Sequence, residues 1–190
     1  MSDSGKDMRK KDLEQLLNIL NEEIEHLGVG AEFLLCGGAV FVLEGFREMS
    51  RDFDGLLRPR DIVEYIRTAV AKRAKIKVDW LDTDVNRVFD LAYVPRTEYV
   101  LVKQYRNFRV FRVSDDLLLA MKVYSAREKR DLKDTIDLLR RLKITDYNVA
   151  LSWLDDIRKR TSSKARRGTR YLFTLGDKEK NFLRKAIESL

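Results

Sequence analysis

The chain has 190 residues, 44% hydrophobic and 36% charged, with 38 Lys and Arg against 31 Asp and Glu for a net charge of +7. That balance excludes a disordered chain, and the length suits one domain of ordinary size with room for an appendage. No apolar run reaches the length of a membrane span, Met1–Lys6 carries no apolar leader core, and a single cysteine excludes an intrachain disulfide, so a cytoplasmic protein is expected.

From Lys11 the apolar residues Leu13, Leu16, Leu17, Leu20, Ile24 and Leu27 fall on one helical face, which Gly28 and Gly30 bring to an end. His26, the only histidine, sits near that end, where the helix dipole tolerates it. Phe33–Cys36 is a short apolar run closed by Gly37-Gly38, as expected of a buried strand, with Cys36 a small buried filler. A short helix is expected over 39–46 and a second strand over 52–57, closed by Pro59. Residues 60–72 follow as a helix with Ile62, Tyr65, Ile66, Ala69 and Val70 on one side, and 75–78 as a further strand. Residues 80–87 fit a loop or short helix.

Residues 97–102 and 108–113 form a hairpin pattern turning at Arg106-Asn107. Ser114 caps a Leu-rich helix reaching about Ala126, with Asp115 and Asp116 in its first turn. Helices over 128–142 (Leu132, Ile136, Leu139 and Leu142 inward) and 147–159 (Val149, Ala150, Trp153, Leu154 and Ile157 inward) come next. A last helix, capped by Asp177, carries Phe182, Leu183, Ala186, Ile187 and Leu190. The order predicts an α/β (α+β) fold: a mixed sheet flanked by helices over residues 1–113, and a helical region over 114–190 packed with it as one unit.

The net charge is local. Arg158, Lys159, Arg160, Lys164, Arg166, Arg167 and Arg170 lie in one segment without an acid, and removing these seven leaves 31 basic residues against 31 acids. Such a segment suits a polyanion such as RNA, or serves as a solvated linker.

On a strand, Asp52 and Asp54 point to one face and Phe53 to the other. Two like charges there become favourable around a divalent cation, or pair with Arg47, Arg51 or Arg58. The Gly37-Gly38 turn offers backbone N–H groups that suit a phosphate. Metal plus phosphate points to phosphoryl or nucleotidyl transfer. Lys122, set among Leu118, Leu119, Met121 and Val123, must snorkel or meet an acid. A pair with Asp131 across a tight helical hairpin would satisfy both residues, serving either an active site or the pinning of two helices with Arg127, Arg130 and Asp134.

Gly37-Gly38-Ala39 followed by Asp52-Phe53-Asp54 resembles the glycine-glycine-serine and D-x-D signature of the DNA polymerase β-like nucleotidyltransferase superfamily. Lys122, Ala126-Arg127 and Arg130-Asp131 with Asp134 are similar to the downstream block of minimal nucleotidyltransferases, including the AbiEii-type toxins and a related bacterial and archaeal family. Asp79-Trp80-Leu81-Asp82 resembles an element of the latter. The likeness covers roughly residues 10–142. It implies magnesium or manganese on Asp52 and Asp54, an NTP substrate on Gly37, Gly38 and Ala39, Lys122 on phosphate or base, and Asp131 at the active site. It also implies a tRNA or other RNA acceptor and a cognate antitoxin as partner. Ala39 stands where the family has serine, and a third metal carboxylate is left to Asp79, Asp82 or Glu98. The alternative is a catalytically degenerate member that binds nucleic acid or a partner protein.

Overall fold

The computed structural model describes residues 7–51, 53–83, 91–162 and 175–190. Contacts divide the chain into two compact units: residues up to 86 with Tyr99–Val113, and residues 87–98 with Ser114–Leu190. Residues 91–98 group with the helices of the second unit. The fold is mixed α/β.

In the first unit, β1 (Met8–Arg9), α1 (Lys10–Leu27), β2 (Ala31–Cys36), α2 (Gly37–Leu43), β3 (Met49–Ser50) and β4 (Phe53–Arg58) come in sequence. They are followed by α3 (Val63–Ala74), β5 (Leu81–Asp82), β6 (Tyr99–Gln104) and β7 (Phe108–Val113). Helix α1 exists because its Leu and Ile residues recur every three or four positions, and Leu13, Leu16, Leu17, Leu20 and Ile24 are all buried. It stops at Gly28, whose φ of 66° lets its N–H return to the Glu25 carbonyl. Glu23, buried on α1, is held by Arg73 of α3 at 2.7 Å.

The five-stranded sheet has the order β5-β4-β2-β7-β6, and β1 pairs with β3 separately. Strand β2 runs antiparallel to β4 and parallel to β7, and β4 runs parallel to β5. Register sorts the side chains onto two faces. Phe33, Leu35, Phe53, Leu57, Leu81, Phe108 and Val110 share one, all of them buried. Trp80 meets Phe53 edge-on at 5.8 Å, and α1 reaches this face through Asn18, which accepts from Lys103 Nζ at 3.1 Å. The opposite face carries Glu32, Asp54, Arg58, Asp82 and Arg109 around Leu34 and Leu56.

Two expectations for this unit fail. Residues 75–78 are not a strand: Lys75, at φ 55°, ends α3 in the left-handed conformation, and Val78–Trp80 is a 3-10 turn. Lys75, Lys77 and Val78 are exposed, so the segment has no face to bury. Burial begins at Trp80, whose indole N–H donates to the Arg67 carbonyl at 3.0 Å, and the strand is Leu81–Asp82. On α3 the buried stripe is Ile66, Val70 and Ala71, while Tyr65 is exposed and turns its hydroxyl to Glu23.

In the second unit α4 (Asp115–Ser125), α5 (Glu128–Arg141), α6 (Tyr147–Ser162) and α7 (Asp177–Glu188) follow one another. Ser114 is the cap of α4, its Oγ accepting from the Leu117 N–H at 3.2 Å. Leu117 to Val123 are buried on every side of that helix. Helix α5 buries Asp131, Asp134 and Thr135 beside Leu138 and Leu139, whereas Leu132, Ile136 and Leu142 are half-buried. An apolar stripe was the expectation, and ion pairing to α4 rotates the buried face toward the acids. On α6, Ala150, Leu154 and Ile157 are buried, but Val149 and Trp153 are exposed, and the Trp153 indole donates to Asp116 at 2.9 Å. The cap of α7 is Gly176, not Asp177: its N–H donates to the Glu179 carboxylate at 3.0 Å, and Asp177 is the first helical residue. Phe182, Leu183 and Ala186 are buried there, and Leu190 is exposed. Among the described residues no helix is long and apolar enough to cross a membrane.

Candidate functional site

Strand β2 ends at Cys36, and the chain turns into α2 through two glycines. Gly37 has a φ of 68°, which an L side chain rarely adopts. A Cβ built on it would lie 1.8 Å from Asp54 Oδ2 and 2.6 Å from its carboxyl carbon. The Asp54 carboxylate therefore occupies the space that the glycine leaves. The sheet explains why: Cys36 and Asp54 are opposite one another on β2 and β4, so the Asp54 side chain projects beside the end of β2.

Gly38 does the same for a different pair. A Cβ there would stand 2.8 Å from Ser50 Oγ and 3.2 Å from Arg47 Nη1. The two glycines thus admit a carboxylate on one side and a hydroxyl with a guanidinium on the other. Ala39 is fully buried in α2, a helix of seven residues.

Asp82 completes the carboxylate row. It is the parallel register partner of Asp54, just as Leu81 is the partner of Phe53. Phe53 and Leu81 are buried on the core face, so Asp54 and Asp82 share the other face on strands roughly 4.8 Å apart. Of the three carboxylates proposed as a third ligand, Asp82 is the one set beside Asp54. Asp79 is exposed in the preceding 3-10 turn. Glu98 is buried in the helical unit, where it accepts from Ser114 Oγ at 2.5 Å and faces Arg160 at 3.6 Å. Asp52 lies outside the described residues, and among those described no three His, Cys, Asp or Glu side chains gather as a cation site.

The second group of expected site residues belongs to the helical unit. Lys122 Nζ donates to Asp131 Oδ1 at 2.9 Å and to Asp134 Oδ2 at 2.7 Å. Arg127 Nε donates to Asp131 Oδ2 at 2.7 Å, and Thr135 Oγ1 donates to the Asp131 carbonyl at 2.8 Å. Lys122, Asp131 and Asp134 are all buried. The left-handed turn at Ala126 brings α4 and α5 close enough for these bonds. Burial pushes the Asp131 carboxyl up, but the Arg127 hydrogen bonds and the Lys122 charge outweigh it and hold it below its ordinary value.

The basic segment is described only as far as residue 162. Arg158 and Lys159 reach Asp155 of their own helix at 2.6 and 2.7 Å, and Arg160 reaches Asp116 at 3.2 Å. These three basic residues sit against acids rather than forming a bare cationic strip. Lys164, Arg166, Arg167 and Arg170 lie outside the described residues.

Comparison with known protein families, with curated proteins and with solved structures finds no match to this chain.

Sequence reasoning names Arg47 only as an ion-pair partner for Asp52 and Asp54, and does not find Ser50. Ser50 sits on a two-residue strand, too short to leave a period, and its closeness to Gly38 comes from the pairing of β3 with β1. Asp82 carried a faint signal, a carboxylate directly after the apolar pair Trp80-Leu81.

Proposed function

We propose that the protein is a magnesium-dependent nucleotidyltransferase that moves a nucleotide from an NTP to an acceptor. The observation supporting this most is the carboxylate row at the glycine turn: Asp54 in the space left by Gly37, and Asp82 in register beside it. The donor set fits the metal, because magnesium and manganese take hard oxygen ligands, and magnesium typically has one or two carboxylates with the rest from substrate phosphate and water. Asp54 and Asp82 would hold it, with Asp52 two positions before Asp54 in the sequence. The bound cation supplies charge stabilisation at the phosphoryl oxygens.

The remaining work falls to the chain itself. Gly37 fixes the Asp54 carboxylate by leaving it one place to sit, so the site costs little reorganisation. Lys122 and Asp131 are assigned a scaffolding role in this reading, since Lys122 already spends two of its three donors on buried acids. An RNA acceptor, tRNA among them, and a toxin role with a cognate antitoxin rest on the basic segment and the sequence resemblance.

The test is to incubate the full chain with each radiolabelled NTP, magnesium and total RNA. Label in RNA or protein, lost in Asp54→Asn and Asp82→Asn variants that still fold, supports the proposal. NTP binding without transfer of label to any macromolecule would favour a degenerate, binding-only protein.

A further inference from the structure

We propose that the outer edge of β6, with the cleft beside it, takes a short extended segment of a partner protein, an aliphatic stretch flanked by acidic residues. None of the residues involved belongs to the carboxylate row, so this surface is independent of the nucleotidyltransferase reading.

Strand β6 is the last in the five-stranded order, and β7 is its strand neighbour. The Ser114 N–H donates to the Glu98 carbonyl at 2.8 Å, which sets the phase of the ladder. Bonded positions alternate along an antiparallel pair, so Val100 turns its backbone groups to β7, whereas Tyr99 and Leu101 turn theirs outward. Val100, Leu101 and Val102 are 39%, 52% and 40% exposed. An edge with three aliphatic side chains in a row is a template for another strand. The register shifts between Leu101 and Lys103, and such a bulge interrupts regular pairing. The edge therefore suits a segment of a few residues rather than a long strand.

The cleft supplies a place for a side chain of that segment. Val100 is opposite Arg112 in register, and Arg112 is opposite Leu35, so the three share one face of the sheet. A cavity of about 240 Å³ opens there between Val40 and Leu43 of α2 and Val100 and Val102 of β6. Its charged members balance each other: Arg112 Nε meets Glu44 Oε1 at 2.5 Å, and Arg112 Nη1 donates to the Val113 carbonyl at 2.9 Å. Apolar walls over a balanced ion pair suit an uncharged side chain. In strand addition the backbone bonds supply affinity and such a cleft supplies specificity.

Charge decides the flanks. Residues 99–113 hold Lys103, Arg106, Arg109 and Arg112 and no acid. Arg109 meets Glu32 of β2 at 2.6 Å, but Lys103 Nζ donates to the neutral Asn18 and Arg106 is exposed at the turn. Two copies joined edge to edge would bring together hairpins of one sign, whereas acids beside an aliphatic run complement this one. Single-stranded RNA would ask for aromatic faces to stack on, and the exposed run here is aliphatic.

The experiment is fluorescence anisotropy of the full chain with labelled peptides. Each carries a central Val-Ile-Val, Leu-Val-Leu or Phe-Val-Phe run between Asp-Glu, Ser-Gly or Lys-Lys flanks. At least one acid-flanked peptide is expected to bind, more weakly as salt rises, and its Lys-flanked counterpart about tenfold more weakly. Leu101→Pro removes an outward N–H, and Val102→Asp sets a charge at the mouth of the cleft. Each should weaken binding about tenfold or more, while unchanged urea midpoints show that the fold survives. Arg106→Glu should weaken the acid-flanked peptide and leave the Ser-Gly-flanked one unchanged. Hydrogen exchange should slow at the Tyr99 and Leu101 amides when peptide is added. Failure of every acid-flanked peptide to bind wild type overturns the proposal, as does binding that Leu101→Pro and Val102→Asp leave unchanged. A wild-type dimer in sedimentation that Leu101→Pro dissolves assigns the edge to a second copy instead. Binding of oligouridine but of no peptide, lost in Arg106→Glu, assigns the hairpin to RNA, and either result overturns the proposal.

Discussion

Gly37→Ala tests the centre of the site, and Gly28→Ala is its natural control. The two glycines have nearly the same backbone, φ 68° and φ 66°. Each substitution places an L residue in the left-handed region, at about 1–2 kcal/mol. They differ in what the new methyl group meets. At Gly28 nothing lies within 4 Å, whereas at Gly37 the methyl would stand 1.8 Å from Asp54 Oδ2 and 2.8 Å from Asp54 Cβ. The Cβ of a strand residue cannot swing away by rotamer, so β4 must shift or the turn must open. Overpacking of that kind adds about 1–3 kcal/mol. Urea denaturation of both variants should show that gap, and Mg-NTP binding should be lost in Gly37→Ala and kept in Gly28→Ala. Adding Asp54→Gly to Gly37→Ala should close most of the gap, as a double-mutant cycle would report. Equal destabilisation by the two alanines, within about 0.5 kcal/mol, would refute the placement of Asp54 against Gly37.

Lys122→Met leaves Asp131 and Asp134 buried without their shared cation, which should destabilise the protein by about 3–5 kcal/mol in urea, and combining it with Asp131→Leu and Asp134→Leu should restore most of that loss. The Asp131 carboxyl is held below its ordinary value in the folded chain, so its stabilisation is full above the unfolded carboxylate pKa of about 3.9 and is lost as pH falls through the folded value. The stability difference between wild type and Asp131→Asn, measured by urea midpoints, should be constant near neutrality and shrink below about pH 4. Asp82→Asn removes a like charge from the register partner of Asp54, so the metal-free protein should gain about 0.2–1 kcal/mol while magnesium loses its stabilising effect in thermal melts.

The elements with a strong period were legible. The Leu and Ile spacing of α1, the hairpin of β6 and β7, and the Ser114 cap all follow from local pattern, and each is found where that pattern places it. The Lys122 to Asp131 bond was legible too, because a lysine in a Leu-rich helix needs an acid and the hairpin between α4 and α5 is short. What escaped had no local signature. Strands β3 and β5 have two residues each, so Ser50 escaped and Asp82 could not be told from Asp79 and Glu98: their neighbours come only through pairing with distant segments. The inward face of α5 was misassigned because burial was equated with apolarity, whereas Asp131 and Asp134 are buried through their ion pairs. Trp153 and Val149 follow the helical period of their neighbours, yet both are exposed, and the buried stripe runs through Ala150, Leu154, Ile157 and Thr161.

Two ionic clusters compete for the functional role, and their construction separates them. Lys122, Arg127, Asp131 and Asp134 are two cations and two anions that bond one another across a helical hairpin. Asp131 accepts from Lys122 and Arg127, and those two cations hold its carboxyl below the ordinary value against burial. A balanced buried network of this kind pins two helices and explains its own perturbed acid without a ligand. Asp54 and Asp82 are different. Backbone pairing, not attraction, sets them side by side, and two carboxylates in register repel. They meet at a turn where Gly37, having no side chain, leaves room for the Asp54 carboxylate. Like charges fixed by the backbone beside a glycine turn are the arrangement a cation would make favourable, and that is the ground for proposing the chemistry at Asp54 and the scaffolding at Lys122.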